Sequence, residues 1–328
     1  MARGLILLYH RVAEVQSDPW LLSVTPTHFA EQLEVLRKVG RPMRLHHLVK
    51  DLREGRCPYR PLVVTFDDGY ADNLYNAKPL LERYDIPATI FLTTGCMGQD
   101  REFWWDELDR LLLQPGRLPR ALHLNIDGTT HDWDLGEAAD YGEDVAQHDR
   151  NWQPSDKHDP SARQSLYRAL YHLLRPLPAD EQRKVLEDLR TWALAKPRGR
   201  SEYRPLAIQE ILTLAKEDLV EIGSHTTTHP VLSARSAATQ REEIQQSKTY
   251  LEQVLGCPVR SFAYPYGGPS DYTAETVALV REAGFACACS ASAGVVRRGA
   301  DPLRLPRLHV QDWDGEKFTQ VLSRWVDG

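Results

Sequence analysis

Seven short apolar runs are spaced along this 328-residue chain, and most are separated by stretches whose apolar residues recur with helical period. That alternation predicts repeated β/α units around a largely parallel sheet. Strands are expected near Gly4–Tyr9, Leu62–Phe66, Ala88–Thr93, Leu219–Ile222, Arg260–Ala263, Phe285–Ser290 and Leu303–Leu308. Helices are expected over Thr27–Val39, Leu45–Glu54, Leu74–Tyr84, Thr239–Leu255, Ala274–Ala283 and Glu316–Val326. Gly40, Gly256 and Gly284 follow helical patterns where a stop needs a left-handed residue.

The rhythm breaks between about Gln99 and Tyr203. Phe103-Trp104-Trp105-Asp106-Glu107-Leu108 opens an amphipathic helix, a polar and strand-poor stretch follows, and two helical patterns cover Ser161–Leu174 and Ala179–Ala195. Residues 99–203 therefore read as a largely helical insertion between the third and fourth strands of a single domain spanning 1–328. It holds five of the eight tryptophans, Trp104, Trp105, Trp133, Trp152 and Trp192. Most are expected in its core, with one or two ring edges left to shape a groove or a contact.

Composition removes several function classes. A net charge of −6 supplies no basic excess to neutralise phosphates, which argues against a nucleic-acid binder. No apolar run approaches the ~20 residues of a membrane span. The opening apolar stretch, Leu5 to Tyr9, is shorter than a secretory core and reads as a buried first strand, so a cytoplasmic protein is expected. Five cysteines at irregular spacing make a poor disulfide framework, and Cys287-Ala288-Cys289 reads as buried thiols rather than a zinc knuckle.

The chemistry collects at strand ends. Val63-Val64-Thr65-Phe66 runs into Asp67-Asp68-Gly69-Tyr70, placing two adjacent carboxylates at the mouth of a buried strand. Two ionised neighbours repel, so a cation or a shared proton must relieve them; the same tripeptide also suits a plain turn. Another apolar run leads into Ser224-His225-Thr226-Thr227-Thr228-His229-Pro230, where i,i+4 spacing would let one brief helical turn aim two imidazoles at one point. Two histidines and one carboxylate suit a hydrolytic zinc or similar ion, although HxxxH alone also describes two polar loop histidines. Phe262-Ala263-Tyr264-Pro265-Tyr266-Gly267 could present a backbone N–H to an oxyanion, or be a packed aromatic corner. Leu303-Arg304-Leu305-Pro306-Arg307-Leu308-His309 offers two arginines that cannot both be core residues, one of which could anchor a carboxylate, and a histidine that could serve as a general acid. His10, at the end of the first strand, raises the same possibility as His309. In a β/α barrel all these ends converge on one face.

Taken together, these segments resemble the polysaccharide deacetylases of carbohydrate esterase family 4 over residues 1–95 and 203–328. Leu8-Tyr9-His10-Arg11-Val12 and the Tyr264-Pro265-Tyr266-Gly267 turn look like the exopolysaccharide-associated bacterial branch. The resemblance implies a distorted (β/α)7 barrel and metal-dependent removal of N-acetyl groups from an amino-sugar glycan or its precursor. Carried over, Asp68, His225 and His229 would hold a divalent metal, with zinc the default and cobalt, nickel or manganese compatible. Asp67 would be the general base, and the Tyr266 N–H would face the oxyanion. The family pattern places an arginine two residues before the Pro of the third motif, where this chain has Ala263; Arg307 is the expected substitute. Its Leu-x-His segment for the general acid has no clean match, and His309 is the candidate. Two alternatives stand beside this reading: a small-amide hydrolase on the same barrel, and a carbohydrate-binding relative without catalysis. A glycosidase is disfavoured, because adjacent carboxylates seldom straddle a glycosidic bond at ~5–10 Å.

Overall fold

A computed structural model describes residues 3–216 and 218–326; Met1, Ala2, Glu217, Asp327 and Gly328, including the first two residues of the N-terminal reading, lie outside the described residues. The chain divides into two compact units, one formed by residues 1–14, 22–99 and 205–328, the other by residues 15–21 and 100–204.

The first unit is built on β1 (Arg3–Tyr9), β2 (Pro61–Phe66), β3 (Ala88–Leu92), β4 (Val220–Ser224), β5 (Ser261–Ala263), β6 (Cys287–Cys289) and β7 (Leu308–His309). They pair in parallel in the order β6-β5-β4-β3-β2-β1-β7. Helices Pro26–Val39, Lys78–Tyr84, Ile208–Ala215, Ala237–Leu255, Ala274–Glu282 and Gly315–Val326 lie along the connections. β1 and β2 are buried almost throughout, which is why they read as unbroken apolar runs rather than alternating ones. Alternation survives in where the side chains go. Leu5, Leu7 and Tyr9 join the larger core with Val64, Phe66, Ile90 and Leu92, whereas Ile6 packs with Val63, Phe91, Ala263 and Cys289.

The structure corrects several expectations. The last strand is not Leu303–Leu308: only Leu308 and His309 pair with β1, and Leu305 makes a single bridge to Cys289 on β6. Pro306 has no N–H to give a ladder, so the segment breaks there. The broken strand thus bonds both edges of the curled sheet, and the result is a distorted (β/α)7 barrel. Gly256 and Gly284 are left-handed helix stops, but Gly40 is extended. Gly40 is required for space, since a Cβ there would come within 2.6 Å of Leu62 Cδ1. The expected helix at Leu74 begins as a wide π turn, Asn73–Ala77.

The second unit is largely helical. Trp104–Leu112 packs against Ala162–Leu174 and Ala179–Trp192, and Glu143–Asp149 adds a short fourth helix. The stretch expected to be strand-poor holds an antiparallel hairpin, Ala121–Ile126 with Thr129–Asp134. Its turn is Asp127-Gly128, both left-handed, the geometry that matches the twist of two-residue hairpins. Trp104, Trp105 and Trp152 are buried, while Trp133 and Trp192 are half-buried. Arg200 ties the unit's ends together by bonding Glu102 and Asp109. No helix among the described residues is long and apolar enough to cross a membrane.

Candidate metal centre

Asp67 and Asp68 follow directly on β2, at the C-terminal mouth of the barrel, and are 3% and 2% exposed. Asp68 is left-handed at φ 72°, and so is Gly69 at φ 82°. Only glycine fits the second position, because a Cβ would meet Leu92 Cδ2 at 2.5 Å. Beyond this double reversal both carboxylates approach His225 Nε2, Asp68 Oδ1 at 3.6 Å and Asp67 Oδ2 at 3.8 Å. His225 follows β4, and His229 comes four residues later on a loop. No helical turn forms there. Thr226 and His229 are left-handed instead, at φ 66° and 58°, and the Thr226 hydroxyl accepts from the His229 N–H at 3.0 Å. Pro230 disfavours the helical alternative for His229. Tyr266, after β5, is also left-handed at φ 59°. Four strained non-glycine residues around one site indicate backbone held for function.

The side chains converge. His225 Nε2 lies 3.6 Å and His229 Nε2 3.4 Å from Asp68 Oδ1, and ligand-type atoms of the three residues all fall within 4.8 Å of one another. These contacts are longer than hydrogen bonds. They match the ~3–3.6 Å separation of two donors sharing an ion at ~2.0–2.2 Å from each. His225 Nδ1 donates to the Ala263 carbonyl at 2.8 Å, which leaves Nε2 as the lone-pair atom facing Asp68. Burial pushes the pKa of both imidazoles down, His229 well below the ordinary value, so they are neutral and fit to bind a cation. The donor set therefore fits a divalent ion.

Asp67 stands beside this group, Oδ2 3.8 Å from His225 Nε2. Arg307, completely buried, forks it: Nη1 donates to Oδ1 at 2.7 Å and Nη2 to Oδ2 at 2.6 Å. Arg307 is itself held by Nε to the Ser290 carbonyl at 2.8 Å and Nη1 to the Thr65 hydroxyl at 3.2 Å. Burial alone would raise the Asp67 carboxyl, but Arg307, with help from His225, overrides it and holds the pKa at about 2. Arg304, the other arginine of that segment, is exposed.

His309 pairs with Leu8 through β7 and meets the His10 ring edge-on, centroids 5.4 Å apart. The charges of the centre reach His10. Burial first, then the His309 charge, lower its pKa to about 3, and Asp67, Arg307 and His225 all act on it. The Tyr266 ring packs edge-on against His229 at 4.6 Å. Sequence reasoning named each of these positions but not what fixes the entry to the site. Asp72 accepts from Arg11 Nε at 2.9 Å and from the Val12 N–H at 3.0 Å, and Asn73 Nδ2 donates to the His10 carbonyl at 2.9 Å. Asp72 and Asn73 thereby clamp the segment after β1 to the segment after β2. The only signal was their nearness to the Asp-Asp-Gly turn.

Comparison with known proteins agrees with this geometry. The polysaccharide deacetylase family model matches residues 55–162 and 191–288. A putative polysaccharide deacetylase of Bacillus subtilis is 27% identical over 139 residues, 41% of this chain and 48% of that protein. A poly-β-1,6-N-acetyl-D-glucosamine N-deacetylase of Staphylococcus aureus is 32% identical over 79 residues, 24% of this chain and 27% of that one. This chain thus aligns with less than half the length of either relative. Among solved structures, IcaB from Ammonifex degensii superposes with a TM-score of 0.61 at 19% identity, covering 100% of this chain and 98% of that one. The Streptococcus pyogenes deacetylase PplD, in complex with acetate, gives 0.59 at 17% identity and 97% coverage of both chains. These structures share the fold. With both segments of the family model matched across well over half its length, the chain belongs to the polysaccharide deacetylase family.

Proposed function

We propose that this protein is a divalent-metal-dependent N-deacetylase that hydrolyses the acetamide of an N-acetylated amino-sugar glycan or its precursor. The observation that carries the reading is the Arg307-forked Asp67 standing beside the buried Asp68, His225 and His229 group. The likeness to a Staphylococcus aureus enzyme named for poly-β-1,6-N-acetyl-D-glucosamine supports an N-acetylglucosamine substrate.

Asp68 and the Nε2 atoms of His225 and His229 would hold the ion, which when bound polarises the acetyl carbonyl and acidifies water. Asp67 is ionised at any working pH, and its Oδ2 is the oxygen turned toward the cluster, so it accepts the proton as water attacks the carbonyl carbon. The backbone N–H of Tyr266, held by its left-handed turn beside His229, faces the oxyanion that forms. Breaking the C–N bond requires a proton on the departing amine. We assign that delivery to the His10–His309 pair, with His309 the donor and His10, kept uncharged by its lowered pKa, setting its position. Arg307 supplies what the Ala263 position lacks, and its bidentate hold on Asp67 favours a catalytic protein over an inactive binding relative.

The direct test is acetate release from β-1,6-linked N-acetylglucosamine oligomers, before and after stripping with chelator and reloading with zinc, cobalt or nickel. Release that vanishes on stripping and returns with an ion is expected; none from any N-acetylated glycan, with the ion bound, would exclude this activity. The acid assignment has its own check. His309→Ala should lower kcat more than His10→Ala, on the order of 10²-fold or more, with metal content unchanged in both; equal rates for His309→Ala and wild type would remove His309 from the mechanism.

A further inference from the structure

The loop from His225 to His229 is the least relaxed part of the centre. Thr226 is β-branched, for which a left-handed backbone is a true outlier, and His229 repeats that conformation three residues later. Such a loop keeps its shape only if surrounding bonds over-determine it. One side is held by backbone: the Thr94 N–H donates to the Thr226 carbonyl at 3.1 Å and the Gly95 N–H to the Thr227 carbonyl at 2.7 Å. The other side is held by Glu243, whose backbone carbonyl accepts from the Thr227 hydroxyl at 3.3 Å and whose carboxylate makes the remaining bonds. Glu243, on the helix Ala237–Leu255, accepts at Oε2 from the N–H groups of Thr227 at 2.9 Å and Thr228 at 2.8 Å, and at Oε1 from the Thr228 hydroxyl at 2.6 Å.

We propose that Glu243 is the positioning residue of the metal centre: its carboxylate, bonded to two consecutive N–H groups and one hydroxyl, holds the 225–229 loop in the strained form that aims His229 at Asp68 and His225. The proposal rests on the metal-centre reading above. Two N–H bonds to one oxygen form a small anion-binding concavity that a carboxylate fills well. The helix is fixed independently of this contact. Its Ser236 N-cap accepts from the Thr239 N–H, and Ser247, Ile244 and Leu251 on its inner face are buried, so Glu243 projects from a rigid element. Without it, the bonds to Thr94 and Gly95 hold the loop from one side alone, and Thr226 and His229 can relax toward ordinary backbone angles. Nε2 of His229 would then leave the 3.4 Å approach to Asp68 that an ion needs.

The test measures ion affinity and geometry rather than turnover. Wild type, Glu243→Ala, Glu243→Asp and Glu243→Gln, stripped of metal, are titrated with zinc(II), and their cobalt(II) d–d spectra are recorded beside melting curves of the metal-free proteins. Glu243→Ala is expected to bind about 10–100-fold more weakly, with an altered cobalt spectrum. Glu243→Gln, whose oxygen can take both N–H bonds while its NH2 donates to the Thr228 hydroxyl, should stay close to wild type, and Glu243→Asp, too short to keep all three bonds, should fall between. A merely structural role predicts lowered melting with unchanged affinity and spectrum, and that result overturns the proposal. If Glu243→Ala does not fold, a folded Glu243→Asp with wild-type affinity and spectrum overturns it equally. Wild type that takes up neither ion overturns the metal reading itself, and the proposal with it.

Discussion

Arg307→Ala is expected to lower acetate release on the order of 10²–10⁴-fold, the range lost with a general base, and to destabilise the fold by about 3–5 kcal/mol. Both effects have one origin. Asp67 and Arg307 are both buried, and removing the guanidinium leaves the carboxylate without its two strongest donors in a low-dielectric site. Burial then acts with far less opposition and the carboxyl pKa rises, so Asp67 holds the proton it must be able to accept. The pH dependence reverses accordingly. In wild type the Asp67 pKa is about 2, below the unfolded value of ~3.9, so the pair adds stability that is full above that unfolded value and is lost as pH falls through the folded one. In the variant the folded pKa lies above the unfolded one, so stability should fall relative to wild type as pH rises from ~4 toward neutrality. Denaturant melts of both proteins across this range give the sign directly. Arg307→Lys restores charge without the fork, and partial recovery of stability with poor recovery of rate would separate neutralisation from orientation. An Arg307→Ala protein with wild-type rate would show that Asp67 needs no such partner.

The second large effect is expected at the ligands. His225→Ala should remain folded and lose the ion that wild type carries at about one per chain, as counted by elemental analysis, and acetate release should fall to background. Asp68→Asn should behave alike, since a neutral amide leaves two imidazoles and no charge to offset a dication. Burial has already lowered both histidine pKa values, so acidification should dislodge the ion only below the ordinary imidazole value of ~6.5. Metal loss with a midpoint at or above that value would count against these imidazoles as the ligands. Wild type that stays metal-free after incubation with zinc, cobalt or nickel would sink the hydrolase assignment altogether.

Much of the centre was legible because barrel geometry converts position along the chain into position in space. Val63 to Phe66 are apolar and so must be buried; whatever follows them is delivered to the strand's mouth, and Asp67 and Asp68 follow. The same holds for His225 after β4 and Tyr266 after β5. The hairpin at 121–134 was legible in principle too, since Leu122, Leu124 and Ile126 alternate into Asp127-Gly128. The polar composition around it masked a period-2 signal only three residues deep.

Other features were beyond any local pattern. The strand expected over Leu303–Leu308 ran through Pro306, and nothing local said that Leu305 and Leu308 would bond opposite edges of the sheet. Glu243 stands beside Glu242 on a helix rich in polar residues, and nothing in that spacing marks which carboxylate meets the loop. His10 and His309 were equivalent candidates until pairing of β1 with β7 put their rings in contact.

By itself, then, the sequence determined the repeating β/α units, the strand mouths and the residue types gathered there, because burial and period are written locally in side-chain polarity. Only the tertiary structure decided which of those residues touch. Arg307 reaches Asp67 across 240 positions of chain, and the loop angles that aim His229 are held by a helix and a neighbouring turn. Such contacts depend on how the whole sheet closes, a quantity no window of sequence contains.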